Sequence, residues 1–200
     1  SRETHIKIGT DKATLTLEDG SEVVLEKGNV YSSKTANSDG EKIIYKNAQN
    51  NPKETKNNIA YNYLTIPRGG EFYVQLSDST KVWLNSETKI KFPVKFRKGA
   101  VREVELIYGE AYFDVSSSKK HNGVSFKVLT QSQEVEVLGT EFNIKAYKNE
   151  NEIATTLVEG KVAIGLNNKK SILNPTQQLN YNISDKTINI LTVNTNLETS

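Results

Sequence analysis

The sequence predicts an all-β fold, a largely antiparallel, sandwich-like domain. Three observations carry the prediction: apolar residues recur at every second position, no stretch keeps a 3.6-residue apolar stripe, and turn-forming pairs fall between the alternating runs. Period-two alternation buries one face of each strand and leaves the other wet, as in antiparallel sheets. A solenoid-like winding of short strands would give the same pattern and is the alternative.

Along the chain, residues 1–12 read as a connector and 13–17 as the first strand, with Ala13, Leu15 and Leu17 on one face. Asp19-Gly20 then supplies a turn. Leu17-Glu18-Asp19-Gly20-Ser21-Glu22-Val23-Val24-Leu25 aligns with Leu76-Ser77-Asp78-Ser79-Thr80-Lys81-Val82-Trp83-Leu84, two copies of one hairpin and too few for a repeat array. Asp39-Gly40 is a further turn, and 46–58 is a polar loop almost without apolar residues. Gly69-Gly70 precedes an alternating run at 72–76, Asp78-Ser79 turns it back, and Tyr108-Gly109 is expected to turn the chain before 111–115. There, Ala111, Phe113 and Val115 share one face, and Glu110, Tyr112 and Asp114 the other. Residues 116–123 form a loop expected to be flexible, ending in Asn122-Gly123. Runs at 124–128 and 135–137 follow. Gly139 relieves steric limits where the chain bends before the run at 142–146. Asn167-Asn168 turns the run at 162–166, a last run lies at 188–190, and 194–200 reads as a linker.

Composition narrows the function. The chain has 200 residues with 26 Lys+Arg against 24 Asp+Glu, a formal charge of +2, too little to make nucleic acid or an anionic membrane the default partner. Without Cys there are no disulfides, thiolate metal sites or cysteine nucleophiles, and His5 and His121 are the only imidazoles. No metal site or cofactor is expected. Met is absent too, so Ser1 is expected to be a processed or engineered terminus, and no segment approaches the roughly 20 apolar residues that span a bilayer.

Few residues point to catalysis. Glu110 and Asp114 share a strand face, but four residues at about 3.3 Å each put them roughly 13 Å apart, beyond the roughly 5–9.5 Å of glycosidase carboxyl pairs. Residues 81–110 hold seven cations (Lys81, Lys89, Lys91, Lys95, Arg97, Lys98, Arg102) and four carboxylates. They are read as outward charges over inward Ile90, Phe92 and Phe96. Trp83, with Tyr61, Tyr63, Tyr73 and Tyr112, could stack on a sugar, but its place between Val82 and Leu84 is read as core packing. His121, on a loop, lacks the rigid support a catalytic base needs. Arg68-Gly69-Gly70 lacks the continuation of a phosphate loop, and no nucleophile elbow is present.

From Pro67 onward several motifs follow in series: Pro67-Arg68-Gly69-Gly70, Leu76-Ser77-Asp78-Ser79-Thr80-Lys81-Val82-Trp83-Leu84-Asn85, Phe92-Pro93, Phe96, Arg102-Glu103-Val104, Gly109-Glu110-Ala111-Tyr112-Phe113-Asp114-Val115, Phe126-Lys127-Val128, Val135-Glu136-Val137-Leu138-Gly139-Thr140-Glu141-Phe142-Asn143-Ile144, Thr155-Thr156-Leu157-Val158-Glu159-Gly160-Lys161-Val162 and Leu173-Asn174-Pro175-Thr176-Gln177-Gln178. This order resembles the periplasmic region of FecR-type transmembrane anti-sigma factors in the form common in Bacteroidetes.

The resemblance implies residues 1–12 as a juxtamembrane connector, 13–193 as a periplasmic domain and 194–200 as a linker to a C-terminal domain. It implies anchoring to the inner membrane by a preceding helix, an extracytoplasmic-function sigma factor held by a cytoplasmic segment, and a TonB-dependent transporter whose signalling domain docks mostly on the C-terminal domain. A regulatory protease is a further implied partner; nucleic acid is not. The implied role is non-enzymatic. Some similar proteins process themselves at a Gly-Thr bond in this motif, which singles out Gly139 and Thr140: the Thr140 hydroxyl would attack the preceding carbonyl and water would open the ester. A structural bend is the other reading of this pair. The alternatives from other classes are a secreted carbohydrate-binding β-sandwich and a polysaccharide-cleaving enzyme.

Overall fold

A computed structural model describes residues 10–47 and 58–198 of the chain. In chain order its strands are β1 (Thr10–Thr16), β2 (Glu22–Glu26), β3 (Tyr31–Ser32), β4 (Ala36–Ser38), β5 (Lys42–Tyr45), β6 (Tyr61–Ile66), β7 (Gly70–Gln75), β8 (Lys81–Leu84) and β9 (Thr88–Pro93). They continue with β10 (Arg102–Asp114), β11 (Phe126–Leu129), β12 (Glu134–Val137), β13 (Glu141–Ala146), β14 (Glu152–Glu159), β15 (Val162–Leu166), β16 (Lys169–Leu173), β17 (Gln177–Asn182) and β18 (Ile188–Thr192). Among the described residues, helix is confined to a 3₁₀ turn at Ser118–His121 and a single turn, α1 (Thr195–Glu198). The fold is all-β, as the alternation requires.

The ladders form two layers. One runs β2-β1-β6-β9-β10-β11-β12-β15-β16. The other runs β3-β4-β5-β7-β8-β10-β13-β14-β17-β18. Among the described residues only β1–β7, β5–β7 and β10–β11 are parallel. From β11 on, successive hairpins alternate between layers, so the sandwich is itself built by winding and the two sequence-based descriptions merge into one arrangement.

Inward residues of both layers form one core. Tyr45 meets Phe92 edge-on at 5.1 Å and its hydroxyl accepts a 2.8 Å hydrogen bond from Asn62 Nδ2, while Phe113 stacks on Phe142 at 5.0 Å and reaches Phe126 across the layers at 6.5 Å. Each fully buried side chain of this size contributes about 1.5–3 kcal/mol.

Gly109 does not turn the chain. It lies inside the 13-residue β10, beside a bulge between Leu106 and Tyr108, where the strand leaves β9 and joins β8 and β13. Its φ of +99° suits glycine, and a Cβ there would collide with the Thr88 backbone and hydroxyl. The alternation of 111–115 is met: Ala111, Phe113 and Val115 are buried, and Glu110, Tyr112 and Asp114 face outward.

The Asn167-Asn168 turn closes β15 and β16 with both φ values positive, 48° and 63°, the conformation of a two-residue hairpin. At the N-terminal side β1 starts at Thr10, inside the segment expected to be a connector, because Lys12 pairs with Glu26 of β2. Residues 1–9, including His5, and 48–57 of the polar loop lie outside the described residues. In the expected linker, α1 follows β18.

Candidate functional site

The two copies of the sequence repeat build the same turn. Leu17 N–H donates to Ser21 O at 2.9 Å and Gly20 N–H to Leu17 O at 2.9 Å; Leu76 N–H donates to Thr80 O at 2.8 Å and Ser79 N–H to Leu76 O at 3.0 Å. In each, an aspartate closes the loop. Asp19 Oδ1 accepts from Ser21 N–H at 2.9 Å and hydroxyl at 2.6 Å, and Asp78 accepts from Thr80 N–H at 2.9 Å and hydroxyl at 2.8 Å. Their surroundings differ. The first turn is exposed, whereas Asp78 and Thr80 are buried.

What buries the second turn is Arg102. Its Nη1 donates to Asp78 Oδ2 at 2.8 Å and to Ser116 O at 2.9 Å, its Nη2 donates to Val124 O at 3.1 Å, and its guanidinium carbon stands 5.5 Å from the centre of the Phe126 ring. Both charged side chains are 2% exposed, and Arg102 Nε has no hydrogen-bond partner. Arg102 is thus not one of the outward cations of 81–110. Its parity was readable, since Arg102, Val104 and Leu106 alternate onto the core face, but sequence does not show which carboxylate meets it.

His121 joins this cluster: its Nε2 lies 2.9 Å from Ser116 Oγ, and Ser116 N–H donates to Thr80 Oγ1 at 3.2 Å. The loop expected to be flexible is instead a 3₁₀ turn, capped by Asn122 in the left-handed conformation and tied by Ser118 N–H to Leu138 O at 2.6 Å and Gly123 N–H to Ser118 O at 2.8 Å. Burial, reinforced by the Arg102 and Lys120 charges and opposed by Asp78, lowers the His121 pKa below its ordinary 6.5. Above Arg102 opens a cleft of about 550 Å³, walled by Ser77, Phe96, Lys98, Arg102, Lys120 and His121 among others.

Gly139 and Thr140 line a second cleft, of about 500 Å³, together with Asp114, Glu141, Glu159 and Lys119. Gly139 has φ +151° and a Cβ there would come within 3.1 Å of Ser117 Cα. The buried Thr140 hydroxyl donates to Lys161 O at 3.1 Å, and Thr140 O accepts from Val115 N–H at 3.0 Å. The residues therefore form the expected bend, with the hydroxyl clamped to a peptide carbonyl, a group far too weakly basic to act as a general base.

Trp83 is not in the core. Inward Val82 and Leu84 leave the residue between them pointing outward, and it is 42% exposed. It stands in register with Tyr73 on β7 and Tyr112 on β10, at 5.2 and 5.6 Å with the rings inclined by 58° and 64°. Tyr61 and Tyr63 lie on the outer face of the other layer, under Lys91 at 4.7 Å and Lys89 at 5.0 Å. The five aromatics form no single flat platform. Glu110 accepts from Asn85 and Asn143, and Glu141 accepts from the Tyr112 hydroxyl at 2.7 Å. Burial, with the charges of Glu141, Asp114 and Glu159, raises the Tyr112 pKa.

A family model described as FecR protein matches residues 62–163. The chain belongs to the FecR family. The FecR match runs from β6 to the start of β15 and so contains Asp78, Arg102, Gly139, Thr140, the second cleft and all of the first cleft's lining but Asn47. Two crystal structures of a candidate anti-sigma factor from Parabacteroides distasonis are similar to this FecR chain, one at 32% identity with a TM-score of 0.61 over 65% of the chain, the other at 31% and 0.62 over 66%. The match spans 59% and 60% of those chains, under two thirds of their length. No curated protein matches.

Proposed function

We propose that this chain is the periplasmic signal-receiving module of a FecR-type anti-sigma factor. It relays the state of a TonB-dependent outer-membrane transporter across the inner membrane and thereby controls an extracytoplasmic-function sigma factor. The observation that carries the reading is the FecR match over 62–163, joined to a likeness above 30% identity to a candidate anti-sigma factor. The module is non-enzymatic: it works as a β scaffold that passes a docking event, or cleavage by a regulatory protease, toward the membrane. The stretch ahead of β1 is its connector to a membrane helix and 194–200 its link to a docking domain.

The test uses the full-length parent protein. Co-purification with the signalling domain of a TonB-dependent transporter and with an extracytoplasmic-function sigma factor is the expected result; binding to neither overturns the reading. The carbohydrate-binding alternative draws support from the exposure of Trp83. The inclined rings and the division of the tyrosines between two faces count against it.

A further inference from the structure

The cleft above Arg102 is lined by cations. Among the described residues its lining holds Lys98, Arg102 and Lys120, besides Arg97, which has an interaction of its own, and one carboxylate, Asp78. Two of these cations, Lys98 and Lys120, stand exposed at its rim. The carboxylate of Asp78 is spent on Arg102 and Thr80.

Two rigid segments shape the walls. On one side, residues 94–101 are pinned by Phe96 N–H donating to Ser77 Oγ at 3.1 Å and by the turn from Ala100 N–H to Arg97 O at 3.3 Å. On the other stands the 3₁₀ turn carrying Lys120 and His121. Between them Phe96 and Val124 offer apolar contact, and Ser77, Ser79 and Asn122 offer polar contact.

We propose that this cleft docks an acidic segment of a partner protein, with Asp or Glu side chains against Lys98 and Lys120 and the peptide between the two walls. The proposal deepens the signal-receiving reading and rests on it only for the identity of the partner.

The donors favour a peptide over a single inorganic anion. Three of the five Arg102 N–H groups are used by Asp78, Ser116 and Val124, and Nε is sealed from solvent, so the floor cannot clasp a phosphate in the bidentate manner. The positive charge of Lys98 and Lys120 stands on the rim on long, exposed side chains, one on each wall of the cleft of about 550 Å³. That spacing matches several carboxylates along an extended chain.

Amide chemical shifts of the ¹⁵N-labelled chain, titrated with a hexaglutamate peptide, test this. Shifts at 97–100 and 120–123 that fade with salt are expected, with none from hexaglutamine, and Lys98→Glu combined with Lys120→Glu should weaken binding at least tenfold. Both lysines are exposed, so the double variant should keep the wild-type melting temperature. Absence of shifts in the cleft overturns the proposal. So do equal shifts from inorganic phosphate, which would make it a small-anion site, and retention on phosphatidylcholine–phosphatidylglycerol vesicles lost in the same variant, which would make it a membrane-facing surface. A positive titration beside failed co-purification with transporter and sigma factor would overturn the FecR-type relay and leave the acidic-peptide site standing; the converse would overturn the site alone.

Discussion

Arg102 Nη1 lies 2.8 Å from Asp78 Oδ2 in a setting where both side chains are 2% exposed, so the β7–β8 turn is fastened to the start of β10 by an ion pair out of reach of water. Removing one partner leaves a buried charge without its counterion. Arg102→Met or Asp78→Asn should each cost about 3–5 kcal/mol in urea unfolding. Combining them should cost less than the sum of the two, because the same interaction is lost in both.

Gly109→Ala should destabilise the domain by more than the roughly 1–2 kcal/mol of a left-handed Cβ, because Thr88 occupies the space the methyl needs. Gly109→Asn eases the backbone preference but not the collision, so it should not restore stability. Urea denaturation of both variants checks this.

The Gly139–Thr140 bond should stay intact. Mass spectrometry after prolonged incubation of purified protein should show one species; a fragment beginning at Thr140 would establish self-cleavage. Thr140→Val removes the bond to Lys161 O and should cost about 1 kcal/mol or somewhat more, and Thr140→Ser should restore most of it.

His121 sets a pH dependence of stability. Its pKa is lowered in the folded state, so below 6.5 the unfolded chain binds the proton more readily, and stability falls as pH drops from about 6.5 through the folded-state pKa. Above that window His121 is neutral in both states and contributes no slope. Melting temperatures between pH 7.5 and about 5, above the carboxylate range, should show this decline, and His121→Gln should flatten it.

Trp83 gives the chain a single indole reporter. Its emission should be red-shifted from that of a buried indole, open to acrylamide quenching and unchanged by oligosaccharides. A sugar-dependent change would favour the carbohydrate-binding reading.

The fold class was legible because period-two alternation is a local property. The same rule gave the two faces of 111–115. Trp83 was misread through parity: inward Val82 and Leu84 force the residue between them outward, however apolar it is. Gly109 was read as a turn because glycine after an apolar run marks either a reversal or a bulge, and only the pairing of β10 with β9, β8 and β13 separates them. The Asp-x-hydroxyl repeat predicted two like turns. It could not show that one would be sealed by an arginine 24 residues further along the chain, since that contact depends on layers meeting in space.

Because β10 carries ladder bonds in both layers, neither can come apart while the other stays whole. Unfolding should therefore be a single all-or-none event. The amides of 104–113 would then exchange with deuterium only when the entire domain opens, and would report its global stability.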